Sequence, residues 1–195
     1  MIESIKHNLA NLGNFNGRDS RSTFWWYVLF LVVVNFVIGL VVSLPNTMSA
    51  MSASFEAIQS GADPEYFQTS FMDDLTEMMK TQMWISVILG IVMAGLLAAS
   101  FVRRLHDSGK PGWIALIAFG LYIGSLVFNL INLDSMLDSM RVAMDASDPS
   151  AMIRGQTALQ AYSLAAYISY LIVIIFGVFD SQRGPNQYGD EPDYN

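Results

Sequence analysis

Four apolar stretches, residues 24–44, 83–102, 113–133 and 159–179, contain no Asp, Glu, Lys or Arg. Each has about the 20 residues that an α-helix needs to cross a hydrocarbon core. Backbone N–H and C=O groups in lipid must pair within the segment, so each stretch is predicted to be helical. The polar stretches between them divide into a long one at 45–82, a short one at 103–112, a third at 134–158, and a tail at 180–195. The pattern predicts an all-α polytopic membrane protein with four transmembrane helices.

Both longer polar stretches carry helical signals. Asp63-Pro64 reads as an N-cap followed by a first helical residue. Phe67, Phe71, Leu75 and Met78 then recur at helical spacing, which predicts an amphipathic helix running into the second span. Asp148-Pro149 repeats the device ahead of the fourth span. The two halves thus share a plan, as a duplicated hairpin would, although their side chains are poorly matched. Near the start, Ile2, Ile5, Leu9 and Leu12 share one helical face, with Glu3 and Lys6 off it and Gly13 as a stop. That predicts an N-terminal interfacial helix, or alternatively a helix packed beneath the bundle.

Composition agrees with the membrane class. Of the 195 residues 53% are hydrophobic and only 14% charged, against about 25% in an ordinary soluble domain. One membrane domain, 1–195, accommodates the whole pattern. A net charge of −7 without a broad basic face argues against a nucleic-acid partner. Cysteine is absent, which excludes disulfides and thiolate metal sites. Glu3 and the lack of a compact apolar core near the N-terminus predict a retained signal anchor.

Basic residues set the predicted orientation. Lys6, Arg18, Arg21, Arg103, Arg104, Lys110 and Arg183 fall on one side of the spans; Lys80, Arg141 and Arg154 fall on the other. Seven against three puts both termini in the cytoplasm and residues 45–82 and 134–158 outside. Trp25, Trp26, Trp84 and Trp113 lie at span ends, where an indole suits the headgroup layer.

Inside the spans, Gly120 with Gly124, Gly90 with Ala94, and Gly95 with Ala99 are small-residue pairs. They predict close helix packing within the chain, with dimerisation as the alternative. Asn35, Asn129 and Asn132 are predicted to hydrogen-bond between helices rather than to form an ion relay, since no carboxylate accompanies them. Met48 with Met51, and Met136, Met140 and Met144, have the spacing of an apolar helix face. Thioethers also suit Cu(I). No cofactor and no metal site is expected from these patterns.

Three polar blocks converge at the predicted cytoplasmic surface: FNGRDSRSTFWW at 15–26, RRLHDSGKPGW at 103–113 and RGPNQYGDEP at 183–192. In residues, order and position around the spans they resemble the signature blocks of the bacterial inner-membrane family called domain of unknown function 805. The resemblance extends over essentially the whole chain and is most specific at Arg103-Arg104-Leu105-His106-Asp107. Pro111 stands where a serine is expected, and the outer segments are long for the family. The resemblance implies an inner-membrane location and no particular activity.

The blocks support two chemistries. In the first, Arg18, Arg21, Arg103, Arg104 and Lys110, with His106 and Asp107, surround an anionic lipid phosphate or another phosphorylated ligand, and Asn186 and Tyr188 add hydrogen bonds. Arginine presents a planar fork suited to phosphate, and Gly109, Gly112, Gly184 and Gly189 permit the turns that would gather the segments. In the second, the arginines serve orientation, Asp107 caps the turn, and Asp19, Asp190 and Glu191 pair with the arginines to lock the tail. The leading functional expectation is non-enzymatic: an integral inner-membrane protein whose basic cytoplasmic face engages anionic phospholipid, a protein partner or a second copy. A small transporter or channel component is one alternative. A lipid-headgroup enzyme using His106 as base and Asp107 as its orienter is the other.

Overall fold

The computed structural model describes the backbone of residues 1–61, 64–145 and 149–192, and the side chains of 1–56, 58–61, 73–138, 142 and 164–192. Among the described residues the structure is all-helical, with one isolated bridge between Asn186 and Gly189. Six helices follow in order: α1 (Ile2–Ala10), α2 (Arg21–Ser60), α3 (Pro64–Asp107), α4 (Trp113–Ile131), α5 (Leu133–Asp145) and α6 (Pro149–Val178).

Three helices, α2, α3 and α4, are long and apolar enough to cross a membrane, and α6 ends in a further apolar stretch, Leu164–Val178. At a rise of 1.5 Å per residue α2 and α3 are about 60 and 65 Å long, roughly twice a hydrocarbon core. The apolar windows at 24–44 and 83–102 therefore leave long helical arms beyond them. Their outward faces fit lipid: Val33, Phe36, Val37, Ile88, Val92, Leu116, Leu171 and Ile174 are all exposed.

The arms correct one expectation and support another. The first spanning helix was expected to end with the apolar stretch at residue 44, but α2 continues through Pro45 to Ser60. Proline's φ is compatible with a helix, and its cost is one N–H and crowding of the preceding turn. Just beyond it, Asn46 Nδ2 and Thr47 Oγ1 donate to the Val42 and Ser43 carbonyls. As expected, α3 runs without a break from Pro64 into the second apolar stretch and α6 from Pro149 into the fourth. The proposed N-caps Asp63 and Asp148 lie outside the described residues, as do the side chains of Phe67, Phe71, Met140 and Met144. Between them, α5 is an amphipathic helix that buries Leu133 and Leu137.

The small-residue pairs behave unequally. A methyl group added at Gly120, Gly124 or Gly95 would meet nothing within 4 Å. Close packing within the chain was expected there and does not occur. Gly90 does sit against α4.

Packing is tightest at one end. Phe24 from α2, Phe101 and Leu105 from α3, and Ala115 and Ala118 from α4 form a buried cluster, flanked by Ile172, Val173 and Phe176 of α6. Phe101 meets Phe119 edge-on at 6.0 Å. This core gathers the last turn of α3, the start of α2 and the end of α6, and so places the three polar blocks side by side. It is called the arginine end below; the helical arms lie at the opposite, acidic end.

α1 packs against α2 and α3 with an unexpected face. Asn8 is buried, while Ile2 and Leu9 are exposed. The helix thus lies beneath the bundle on a polar contact and keeps apolar residues facing outward.

Candidate functional site

Successive residues of an α-helix point about 100° apart. Arg103 and Arg104, at the end of α3, accordingly reach in different directions. Arg103 faces the N-terminal segment. Its Nε donates to Asp19 Oδ1 at 3.0 Å, Nη2 to Asn8 Oδ1 at 2.7 Å, and Nη1 to the carbonyls of Asn11 and Asn14. Asp19 also accepts from Ser100 Oγ and faces His7 Nε2, both at 3.1 Å. Its own N–H returns to the Arg103 carbonyl. This closes the loop between α1 and α2 onto α3.

Arg104 faces the tail. Nε donates to the Gly177 carbonyl at 3.2 Å, Nη2 to the Phe179 carbonyl, and Nη1 to Asp107 and Ser181. The same Gly177 carbonyl accepts Trp25 Nε1–H at 3.0 Å. Trp25 is thereby turned into the packing, whereas Trp26, Trp84 and Trp113 stay exposed, as anchors would be.

Arg18 joins the three blocks. Its Nε and Nη2 donate to Asp107 Oδ1 at 3.2 and 3.0 Å, and its remaining bonds reach the carbonyls of Gln182, Gly184 and Gly189. Asp107 is fully buried between Arg18 and Arg104, with Ser181 on its second oxygen. The Gln182 N–H donates to the Asp107 carbonyl at 2.8 Å. Asp107 was expected to cap the turn; its side chain is instead the hub of the network, because tertiary partners outbid the local N–H groups.

The other candidate residues lie around this hub. The His106 ring stacks on Tyr188 at 3.8 Å, nearly parallel, with Nδ1 at 3.3 Å from the Gly17 carbonyl. Burial pushes its pKa below the ordinary 6.5, and the bond to Gly17 pulls weakly the other way. Asn186 donates to the His106 carbonyl at 3.0 Å and accepts the Tyr188 N–H. Gly109, Gly184 and Gly189 have positive φ, as the turn reading expected; Gly112 is an ordinary right-handed residue. Glu191 accepts the Gly184 N–H rather than pairing with an arginine, and Asp190 is exposed. Arg21 reaches only Asp180, at 3.3 Å in an exposed pair. Lys110 lies 5.9 Å over the Phe179 ring.

The nine candidate residues therefore come together, but in unequal roles. The guanidiniums of Arg18, Arg103 and Arg104 face internal acceptors: two buried carboxylates, Asp19 and Asp107, and a set of carbonyl and amide oxygens. Arg21 and Lys110 sit at the rim. His106 and Asp107 do not touch each other; one faces Gly17 and Tyr188, the other two arginines and Ser181. Sequence reasoning missed Asn8, Ser100, Ser181 and the Gly177 carbonyl. Asn8 alone left a trace, as an amide between apolar Ile5 and Leu9 on a short helix.

No curated protein and no solved structure is detectably similar to this chain. A family model described as a protein of unknown function, DUF805, matches residues 12–190, which include the first two blocks and all but the last two residues of the third. With three long apolar helices and this match over most of its length, the chain is a membrane-type protein that belongs to the DUF805 family.

Proposed function

We propose that the protein is a non-enzymatic integral protein of the bacterial inner membrane, with four spans and both termini cytoplasmic, whose arginine end rests on anionic headgroups. The observation that carries this reading is the division of the basic side chains. Three arginines are buried in a lock that holds α1, the α3 turn and the tail together. Lys6, Arg21, Lys110 and Arg183 remain at least partly exposed around it. Beside them lie the exposed apolar side chains of Met1, Ile2, Leu9 and Phe15. Cations next to apolar side chains suit the boundary of an anionic leaflet. The separation of His106 from Asp107 supports a reading without catalysis.

Each cation near a charged surface contributes about 1 kcal/mol. Asp180, Asp190 and Glu191 at the same end offset part of that, so the expected preference for anionic lipid is a few-fold. Native mass spectrometry from vesicles of mixed phosphatidylglycerol and phosphatidylethanolamine measures it. The triple variant Lys6→Gln, Arg21→Gln, Lys110→Gln is expected to lose the preference for phosphatidylglycerol while melting like the wild type. An unchanged preference overturns the lipid reading and leaves a protein partner for this face.

The cysteine-free sequence makes orientation directly measurable. In intact cells an impermeant maleimide should label Ser52→Cys, and should label Gln187→Cys only after permeabilisation. The reverse pattern overturns the orientation.

A further inference from the structure

A cavity of about 420 Å³ lies between α2, α3, α4 and α6, away from the arginine end. Gly90 of α3 lines it and is 13 residues from Arg103, which at 1.5 Å per residue is about 20 Å. The cavity thus begins near the middle of the apolar stretches and extends to Gln82, where the arm of α3 starts. Its volume falls in the usual range for small-molecule sites, about 300–1,000 Å³.

Among the described residues the lining is polar but carries neither carboxylates nor basic groups. Asn35, Gln82, Ser86, Tyr122, Asn129 and Tyr170 all contribute, among apolar neighbours such as Leu89 and Leu126. The amides of Asn35 and Asn129 were expected to bond between helices; they have no partner among the described residues, whereas Asn132 bonds the Phe128 carbonyl of its own helix. An unpaired amide at membrane depth is costly, so two of them lining one cavity point to a hydrogen-bonding occupant. Gly90 is part of the construction: an added Cβ would lie 2.7 Å from the Tyr122 hydroxyl and 2.9 Å from Leu126. Only glycine lets the phenol approach α3 so closely. The backbones of α2 and α4 do not approach each other, so the two polar walls stay apart.

We infer that this cavity binds the uncharged, oxygen-rich headgroup of a neutral lipid. Amide and phenol groups donate to carbonyl or hydroxyl oxygens. The described lining offers no carboxylate or basic group, which disfavours an ionic head, since it would enter a low-dielectric site without a counter-charge. The apolar neighbours and the lipid-facing helices suit an attached tail. Isoprenoid quinones and diacylglycerols share this chemistry. The site is separate from the arginine end and does not depend on how that end meets lipid.

Native mass spectrometry of the full chain from mild detergent tests it. One arm adds a benzoquinone with a short isoprenoid tail, and the other adds dioleoylglycerol. Wild type is expected to retain one of them, and the retained probe names the source. Asn35→Leu with Asn129→Leu should reduce the adduct at least tenfold. Gly90→Ile, which fills the cavity, should abolish it, and the asparagine pair keeps the test decisive if that variant folds poorly. Retention of neither probe, or equal retention by wild type and the asparagine variant, overturns the inference. Phosphatidylglycerol retention should be unchanged in this variant, so failure here is distinct from failure of the headgroup reading at the arginine end.

Discussion

At the arginine end, Arg104 and Asp107 are fully buried, and each polar atom of the pair meets a partner within the chain. About 20 Å further along the same helices, Asn35 and Asn129 line a cavity and meet none among the described residues. The two regions use opposite chemistry. The first buries full charges and gives each a hydrogen-bond partner within the chain. The second exposes uncharged amides and phenols to a space of ligand size. Net charge follows the same division. Residues 45–82 and 134–158 hold ten carboxylates and three basic residues, which gives the −7 of the whole chain. The arginine end is balanced, as a self-contained lock should be. A site built to be complete is structural; a site with hydrogen bonds left to make is a place for something else.

The largest expected effect comes from breaking the lock. Asp107→Asn leaves Arg18 and Arg104 buried without their carboxylate. Removing one partner of a buried pair costs about 3–5 kcal/mol. The melting midpoint in detergent should fall steeply, and limited proteolysis should release the tail after residue 180. An unchanged midpoint would mean that the lock does not hold the fold.

The second effect concerns the other half of the lock. Asp19→Asn and Arg103→Gln each weaken closure of the α1–α2 loop. Because the pair is in direct contact at 3.0 Å, the double variant should be less destabilised than the two single effects combined. The expected coupling is about 1–3 kcal/mol. Additive losses would show that the two side chains act independently.

A smaller effect depends on pH. His106 has its folded pKa held below 6.5, chiefly by burial. The unfolded chain therefore takes up the proton first, and stability conferred by neutral His106 is present above pH 6.5 and lost as pH falls through the folded value. Melting curves of wild type and His106→Gln should run parallel at pH 7–8 and converge below about pH 6.5. Parallel curves throughout would remove His106 from the balance. At the other region, Asn35→Leu with Asn129→Leu should leave stability within about 0.5 kcal/mol, or raise it, because no bond within the protein is lost.

Much of this division was legible along the chain, and the part that was not has a common cause. Apolar runs without charges located the long apolar helices, since lipid allows few alternatives to a helix. The three blocks were recognisable as neighbours because each adjoins an apolar stretch at the end that the charge pattern assigns to one side. Their internal pairing was legible only in part: Asp19 was expected to pair with an arginine and meets Arg103, whereas the role of Asp107 was not foreseen. Arg18 meets Asp107 across 89 positions, and a capping role for Asp107 satisfied every local rule. α1 misled for the same reason: its apolar stripe was visible, but burial of Asn8 depends on Arg103, 95 residues away. The cavity lining comes from four helices, a few polar residues from each, none with a periodicity of its own. Pro45 marked a break that the backbone did not make, because one missing N–H is tolerable in a long helix.

The smallest expected stability effect separates holding the fold from meeting the membrane. Arg21 and Asp180 form an exposed pair, with side chains 54% and 95% accessible. Such pairs contribute about 0–1 kcal/mol, and solvent screening puts this one at the low end. Arg21→Gln should therefore melt like the wild type, although it lies three residues from Arg18, whose loss should be severe. If Arg21 acts on headgroups, the same variant should still lower phosphatidylglycerol retention, by less than the triple variant does, and raising salt should erase the difference. A variant that melts normally and retains lipid normally would confine the chemistry of this end to its buried lock.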